Sequence, residues 1–92
     1  MKKIRDMQKR IVQRFELAPE AAGATRLTLI DNTHACLENH KGITEYTQKR
    51  VCIRTRALCV VIMGGGLVLE RFGRENVMVS GDIRTIQFEN IR

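Results

Sequence analysis

Two hydrophobic periods divide this chain. Over residues 2–17, Ile4, Met7, Ile11 and Phe15 recur at steps of three or four, which places them on one side of a helix. From residue 26 onward the period falls to two, the signature of strands with one dry and one wet face. The stretch 51–69 states it most clearly. Val51, Ile53 and Thr55 alternate with Cys52 and Arg54, and in the next segment Val60 and Ile62 share one face while Cys59, Val61 and Met63 share the other. Both faces of that second segment are apolar, so the pattern predicts a strand covered on both sides. Gly64-Gly65-Gly66 is then expected to reverse the chain, since glycine reaches positive φ without steric penalty, and residues 67–69 to resume pairing.

Read in order, the chain gives about eight short strands, at residues 26–30, 34–39, 43–47, 51–55, 59–63, 67–69, 77–80 and 83–88. Asx and glycine chemistry at Asp31-Asn32, at Asn39 to Gly42 and at Gly81-Asp82 supplies turns between them. The architecture predicted is mainly β. An amphipathic helix over 1–18 and a connector over 19–25, opened by Pro19, precede an all-β domain over 26–92. A meander closed into a roll or small sandwich is favoured, because short turns most easily join antiparallel neighbours. A short β-solenoid is the alternative. A faint internal echo accompanies this: V-V-I-M-G from Val60 and V-M-V-S-G from Val77 carry apolar residues and glycine at matching places.

Composition bounds the picture. Ninety-two residues close one hydrophobic core, which excludes a multidomain enzyme, and with aromatics at 4% that core must be aliphatic. The net charge of +6 is concentrated at the start, where Lys2, Lys3, Arg5, Lys9, Arg10 and Arg14 face only Asp6 and Glu16, so four of the six excess charges fall in residues 1–16. Those six cations are the candidate contacts to a partner or an anionic membrane. The apolar stripe beside them packs either on the domain itself or on such a surface. Cys36, Cys52 and Cys59, an odd number without C-x-x-C spacing, suit a reducing compartment. No stretch has the form of a signal peptide or approaches the ~18 apolar residues of a membrane span, so a soluble chain made in the cytosol is expected.

Candidate chemistry is thin. Glu38, His40 and Glu45 lie close in sequence, yet Asn39, His40 and Gly42 fit a hairpin turn better than an acid–base cluster, and no nucleophile accompanies them. His34, Cys36, His40, Cys52 and Cys59 are soft ligands without zinc-knuckle spacing, so buried thiols are expected and no metal or cofactor. The triple glycine lacks the following helix of a phosphate loop. Lys49, Arg50, Arg54 and Arg56 add to the basic excess, but with few aromatics to stack bases a nucleic-acid surface is the weaker reading.

The series Glu38 to Ile43, Glu45-Tyr46, Val51-x-Ile53-x-Thr55, Ile62-x-Gly64-x-x-Leu67 and residues 83–88 resembles the YabP/YqfC family of sporulation proteins. The opening M-K-K-I-R-D is similar to its YqfC branch. One departure stands at Leu58, where the family pattern tends to a turn glycine. The resemblance implies a small protein of endospore formation without enzymatic activity or cofactor, with a structural or assembly role in spore morphogenesis. Its turn-forming motif would comprise Asn39, His40, Gly42, Gly64 and Gly81. The expected partners are other sporulation proteins, with peripheral contact at the forespore membrane or coat. A surface over Cys59, Val61 and Met63 would serve self-association.

Overall fold

The computed structural model describes residues 23–91; the helix expected over 1–18 lies outside them. Six strands form one open antiparallel sheet: β1 (Arg26–Ile30), β2 (His34–Glu38), β3 (Gly42–Tyr46), β4 (Arg50–Arg54), β5 (Leu58–Phe72) and β6 (Asn76–Asn90), in the order β1-β2-β6-β5-β4-β3. Six strands replace the eight expected because neither glycine cluster reverses the chain. Gly64 to Gly66 lie inside β5 and Gly81 inside β6, each strand running on for 15 residues. Register shifts at Met63/Gly64, Gly65/Val68 and Leu69/Arg71 mark bulges, which bend paired strands instead of ending them. Every pairing is antiparallel, so the solenoid is excluded. The meander holds for β3 through β6 only, since the β1-β2 hairpin pairs with β6.

The bend divides the sheet into two halves of matching construction. In the first half, β2 pairs with residues 76–80 of β6; in the second, β4 pairs with residues 59–63 of β5. Row by row the inward side chains correspond. Leu27, Leu37, Val77 and Phe72 form one row of the first half, and Ile43, Ile53, Val60 and Phe88 form its counterpart in the second. The next rows are Leu29, Ala35, Val79 and Leu69 against Tyr46, Val51, Ile62 and Ile86. Even the turns match. The amides of Gly81 and Ile83 donate to the Thr33 and Asn32 carbonyls at the β1-β2 tip, while those of Gly64 and Leu67 donate to Lys49 and Gln48 at the β3-β4 tip. The echo between residues 60–64 and 77–81 is therefore the trace of a quasi-twofold repeat.

Both halves feed one core. Ala35, Leu37, Val51, Ile53, Val60, Ile62, Leu67, Val77, Val79 and Ile83 form a single buried cluster drawn from β2, β4, β5 and β6. Burying such aliphatic side chains contributes about 1.5–3 kcal/mol each before entropy is subtracted. The residues Asn39 to Lys41, expected to close a hairpin, instead cross from the first half to the second. Asn39 takes φ +68° and Gly42 φ +145°, and the amides of His40 and Lys41 donate to Glu75 and Arg54 respectively. The β4-β5 turn, where Leu58 departs from the family pattern, is closed by a side chain. The Thr55 hydroxyl donates to the Leu58 carbonyl at 2.8 Å and accepts from the Leu58 amide at 3.1 Å.

Candidate association surface

The outward faces of the two halves differ. In the second half, the outward rows run Arg50, Met63, Thr85, then Cys52, Val61, Gln87, then Arg54, Cys59, Glu89. A line from Arg50 on β4 to Glu89 on β6 passes over Val61, and the Arg50 guanidinium spans it, with Nη2 3.3 Å from Glu89 Oε2. Its Nε lies 3.8 Å from Glu45 Oε1, within ion-pair range. Val61 is wholly buried and Cys52 nearly so. The doubly apolar segment is thus covered within the chain by the stem and head of an arginine, as long cations commonly cover apolar surface. Of the three residues expected to self-associate, Val61 is sealed, Cys59 is half-buried and only Met63 reaches the exposed class.

That layer acts on Cys52. Burial pushes its thiol pKa up from 9.0; the Arg50 charge opposes this, while a hydrogen bond from Sγ to Glu45 Oε1 at 3.5 Å and the carboxylates of Glu45 and Glu89 add to the rise. A thiol whose folded pKa exceeds its unfolded value contributes stability below the unfolded pKa and loses it as pH rises through the folded one. Melting temperature is therefore expected to decline as pH rises above about 9, and part of that slope to vanish in Cys52→Ala. Iodoacetamide should label Cys52 at least ~10-fold more slowly than Cys36 or Cys59, because only the accessible thiolate reacts. Equal labelling of all three would refute the covering.

The first half has no such cover on its outward face among the described residues. There Ile30, His34, Ser80 and Val68 form one row and Thr28, Cys36, Met78 and Arg71 the next. Ile30 is 52% and Val68 49% exposed at the two ends of a row whose middle holds His34 and Ser80, the Ser80 hydroxyl donating to Glu70 Oε1 at 2.8 Å, and Cys36 and Met78 lie half-buried in the adjacent row. This apolar patch escaped the sequence reading because its members sit on four strands and meet only through the β2-β6 and β5-β6 registers.

The other candidate groups are dispersed. Glu38 pairs with Arg26 across β1-β2, Glu45 faces Arg50, and His40 sits 4% exposed in the crossover, donating from Nε2 to the Gly73 carbonyl at 3.2 Å. The His40 ring packs edge-on against Phe72, with centroids 5.9 Å apart. His34 and Cys36 belong to one half, Cys52 and Cys59 to the other, and all three cysteines are free thiols. Asn39, His40 and Gly42 act in the crossover and Gly64 and Gly81 at the bend. The six N-terminal cations, Lys2 to Arg14, lie outside the described residues. Among the described residues no helix is long and apolar enough to cross a membrane.

Comparison with curated proteins and with solved structures finds no match. The sequence model of the YabP family matches residues 21–92, which takes in every described strand and both bends. With its whole sheet inside that match, the chain belongs to the YabP family.

Proposed function

We propose that this chain is a non-enzymatic assembly protein of sporulation, working through protein–protein association in spore morphogenesis. Membership of the YabP family is consistent with a sporulation-related role, and the opening residues 1–6 support the YqfC branch. The observation that carries the mechanism is the uncovered patch of Ile30, Cys36, Val68 and Met78 on a rigid sheet face, set against a second face that the chain covers for itself. Exposed apolar residues grouped on one sheet face are where association is worth most. The candidate acid and base residues stand apart from one another, which supports a holding role over a transforming one. The partner is another sporulation protein or a second copy, at the forespore membrane or coat, and the basic residues 2–14 supply attraction to an acidic surface.

Light scattering and tagged co-purification from sporulating cells test this together. The expected result is a species larger than the monomer, or a retained protein partner, that is lost in Val68→Lys and Ile30→Lys. Both positions are half exposed, so neither change threatens folding. A wild-type chain that stays monomeric and retains nothing, or variants that associate unchanged, would contradict the proposal.

A further inference from the structure

Exposed sheet edges pair with other chains unless bulges, short strands or charge blunt them. Among the described residues, residues 68–72 of β5 pair with β6 alone and residues 83–90 of β6 pair with β5 alone. These two stretches are counterparts in the two halves, and they differ. In the β5 stretch, register shifts at Gly65/Val68 and Leu69/Arg71 break the ladder, and Glu70 and Arg71 add charge. The outer strands β1 and β3 have five residues each, and β3 carries a shift of its own between Ile43 and Glu45. The β6 stretch has no such device. From Thr85 to Asn90 it pairs with Met63 to Leu58 without a shift, and it holds no glycine, proline or lysine. Its one charge, Glu89, is turned across its own sheet to Arg50 at 3.3 Å.

Apolar surface accompanies that edge. Ile86 and Phe88 alternate on its inward side, opposite Ile62 and Val60, and Phe88 is 66% exposed. Its counterpart Phe72 is 60% exposed, so the unbroken ladder, more than the exposed ring, sets the β6 edge apart. Two hollows lie beside it. One of about 300 Å³ is walled by Phe88, Val60, Leu58 and Leu27, and one of about 280 Å³ by Ile86, Ile83 and Leu29. Leu29 is itself half exposed.

We infer that this edge takes a second copy of itself, the two β6 strands pairing antiparallel about a twofold axis at Gln87. The stretch fits its own reverse. With Gln87 opposite Gln87 of the second copy, Ile86 meets Phe88 and Thr85 meets Glu89, each twice, so the inward side gains two pairs of an aromatic with a β-branched residue. Other registers fit worse. An axis at Ile86 sets Arg84 against Phe88, an axis at Phe88 sets Ile86 against Asn90, and an axis at Glu89 opposes two carboxylates. Placing the axis between residues would bring inward side chains opposite outward ones. In the Gln87 register, Phe88 of the second copy stands beside the hollow walled by Ile86 and Leu29, and its ring covers apolar surface that one chain leaves open. A six-residue strand pair is near the ~1,000 Å² lower limit of a specific interface, so the two rings decide whether it holds. The surface is separate from the outward patch, which lies in the first half of the sheet, and so extends the proposed association to a second site.

Sedimentation equilibrium of the full-length chain carrying Ile30→Lys and Val68→Lys, which remove the outward patch, tests the edge by itself. A dimer is expected at ~10–100 μM, the range suited to an interface of this size. Gln87→Lys and Gln87→Glu, each added alone, should raise the dissociation constant ~5-fold or more, because each opposes like charges on the axis; a 1:1 mixture of the two should restore it. Phe88→Asp should raise it ~30-fold or more. Gln87 and Phe88 are both exposed, and an unchanged urea midpoint confirms that each variant folds. If Phe88→Asp does not fold, the two Gln87 variants carry the comparison. A chain that stays monomeric, or Gln87 variants that dimerise no better mixed than apart, overturns the inference. Since the patch is removed throughout, failure of the patch as an association surface would alter none of these readings.

Discussion

Alanine at Gly64 is expected to destabilise the domain by ~3 kcal/mol or more, whereas alanine at the next residue, Gly65, should change stability by less than ~0.5 kcal/mol. A Cβ on Gly64 would overlap the Asp82 carbonyl, which is backbone held in the β5-β6 ladder and cannot swing away; a Cβ on Gly65 meets open space. Gly81 should behave like Gly64. Its φ is +137°, and a Cβ there would stand 2.7 Å from the Gly66 carbonyl oxygen. Gly66, at φ +58° but in open space, should cost only the ~1–2 kcal/mol of a left-handed L-residue. Urea denaturation midpoints of the four variants measure this order. Were the triple glycine a surface turn, Gly64 would be as tolerant as Gly65, and so uniform tolerance would remove the bend from the account.

That series also shows where sequence reading stops. The strands expected at 26–30, 34–39 and 51–55 stand at 26–30, 34–38 and 50–54, and alternation is plainest in β2, where Ala35 and Leu37 are buried between less buried neighbours. Gly64 to Gly66 and Gly81 were not, since glycine marks a turn and a close backbone approach equally, and the backbone that approaches Gly64 lies eighteen residues away at Asp82. Asn39 to Gly42 has real turn chemistry, with positive φ at both ends, yet joins strands in different halves; local signals fix the reversal and say nothing of what lies beyond it. What covers each face of the sheet depends on the register for a related reason. That Arg50 and Glu89 lie diagonally across Val61 follows only from the register, and the Ile30–Val68 patch exists only once β2 is known to lie beside β6. The repeat behind both was visible as V-V-I-M-G and V-M-V-S-G, but only the pairing shows that those segments are counterparts.

The second large effect belongs to the shared core. Leu37 on β2 and Ile62 on β5 are wholly buried in opposite halves of one cluster. Truncating either to alanine removes apolar contact and leaves a cavity, at a cost of ~2–5 kcal/mol. A domain of this size has ~5–14 kcal/mol of stability in all. Each variant should therefore melt at least ~8 °C lower, and some preparations of Leu37→Ala should be largely unfolded at ambient temperature. The two changes should be alike in cooperativity as well as in size, since neither half has a core of its own to fall back on.

The outward patch and the correspondence of the two halves both require that the halves of the bent sheet stand on one core. Native-state hydrogen exchange of Leu37→Ala, read at the β4 amides in the opposite half, tests this most directly. The expected result is that β4 loses as much protection as β2, by the same free energy. A β4 that keeps wild-type protection while β2 opens would mean two independent layers, and the account would fail.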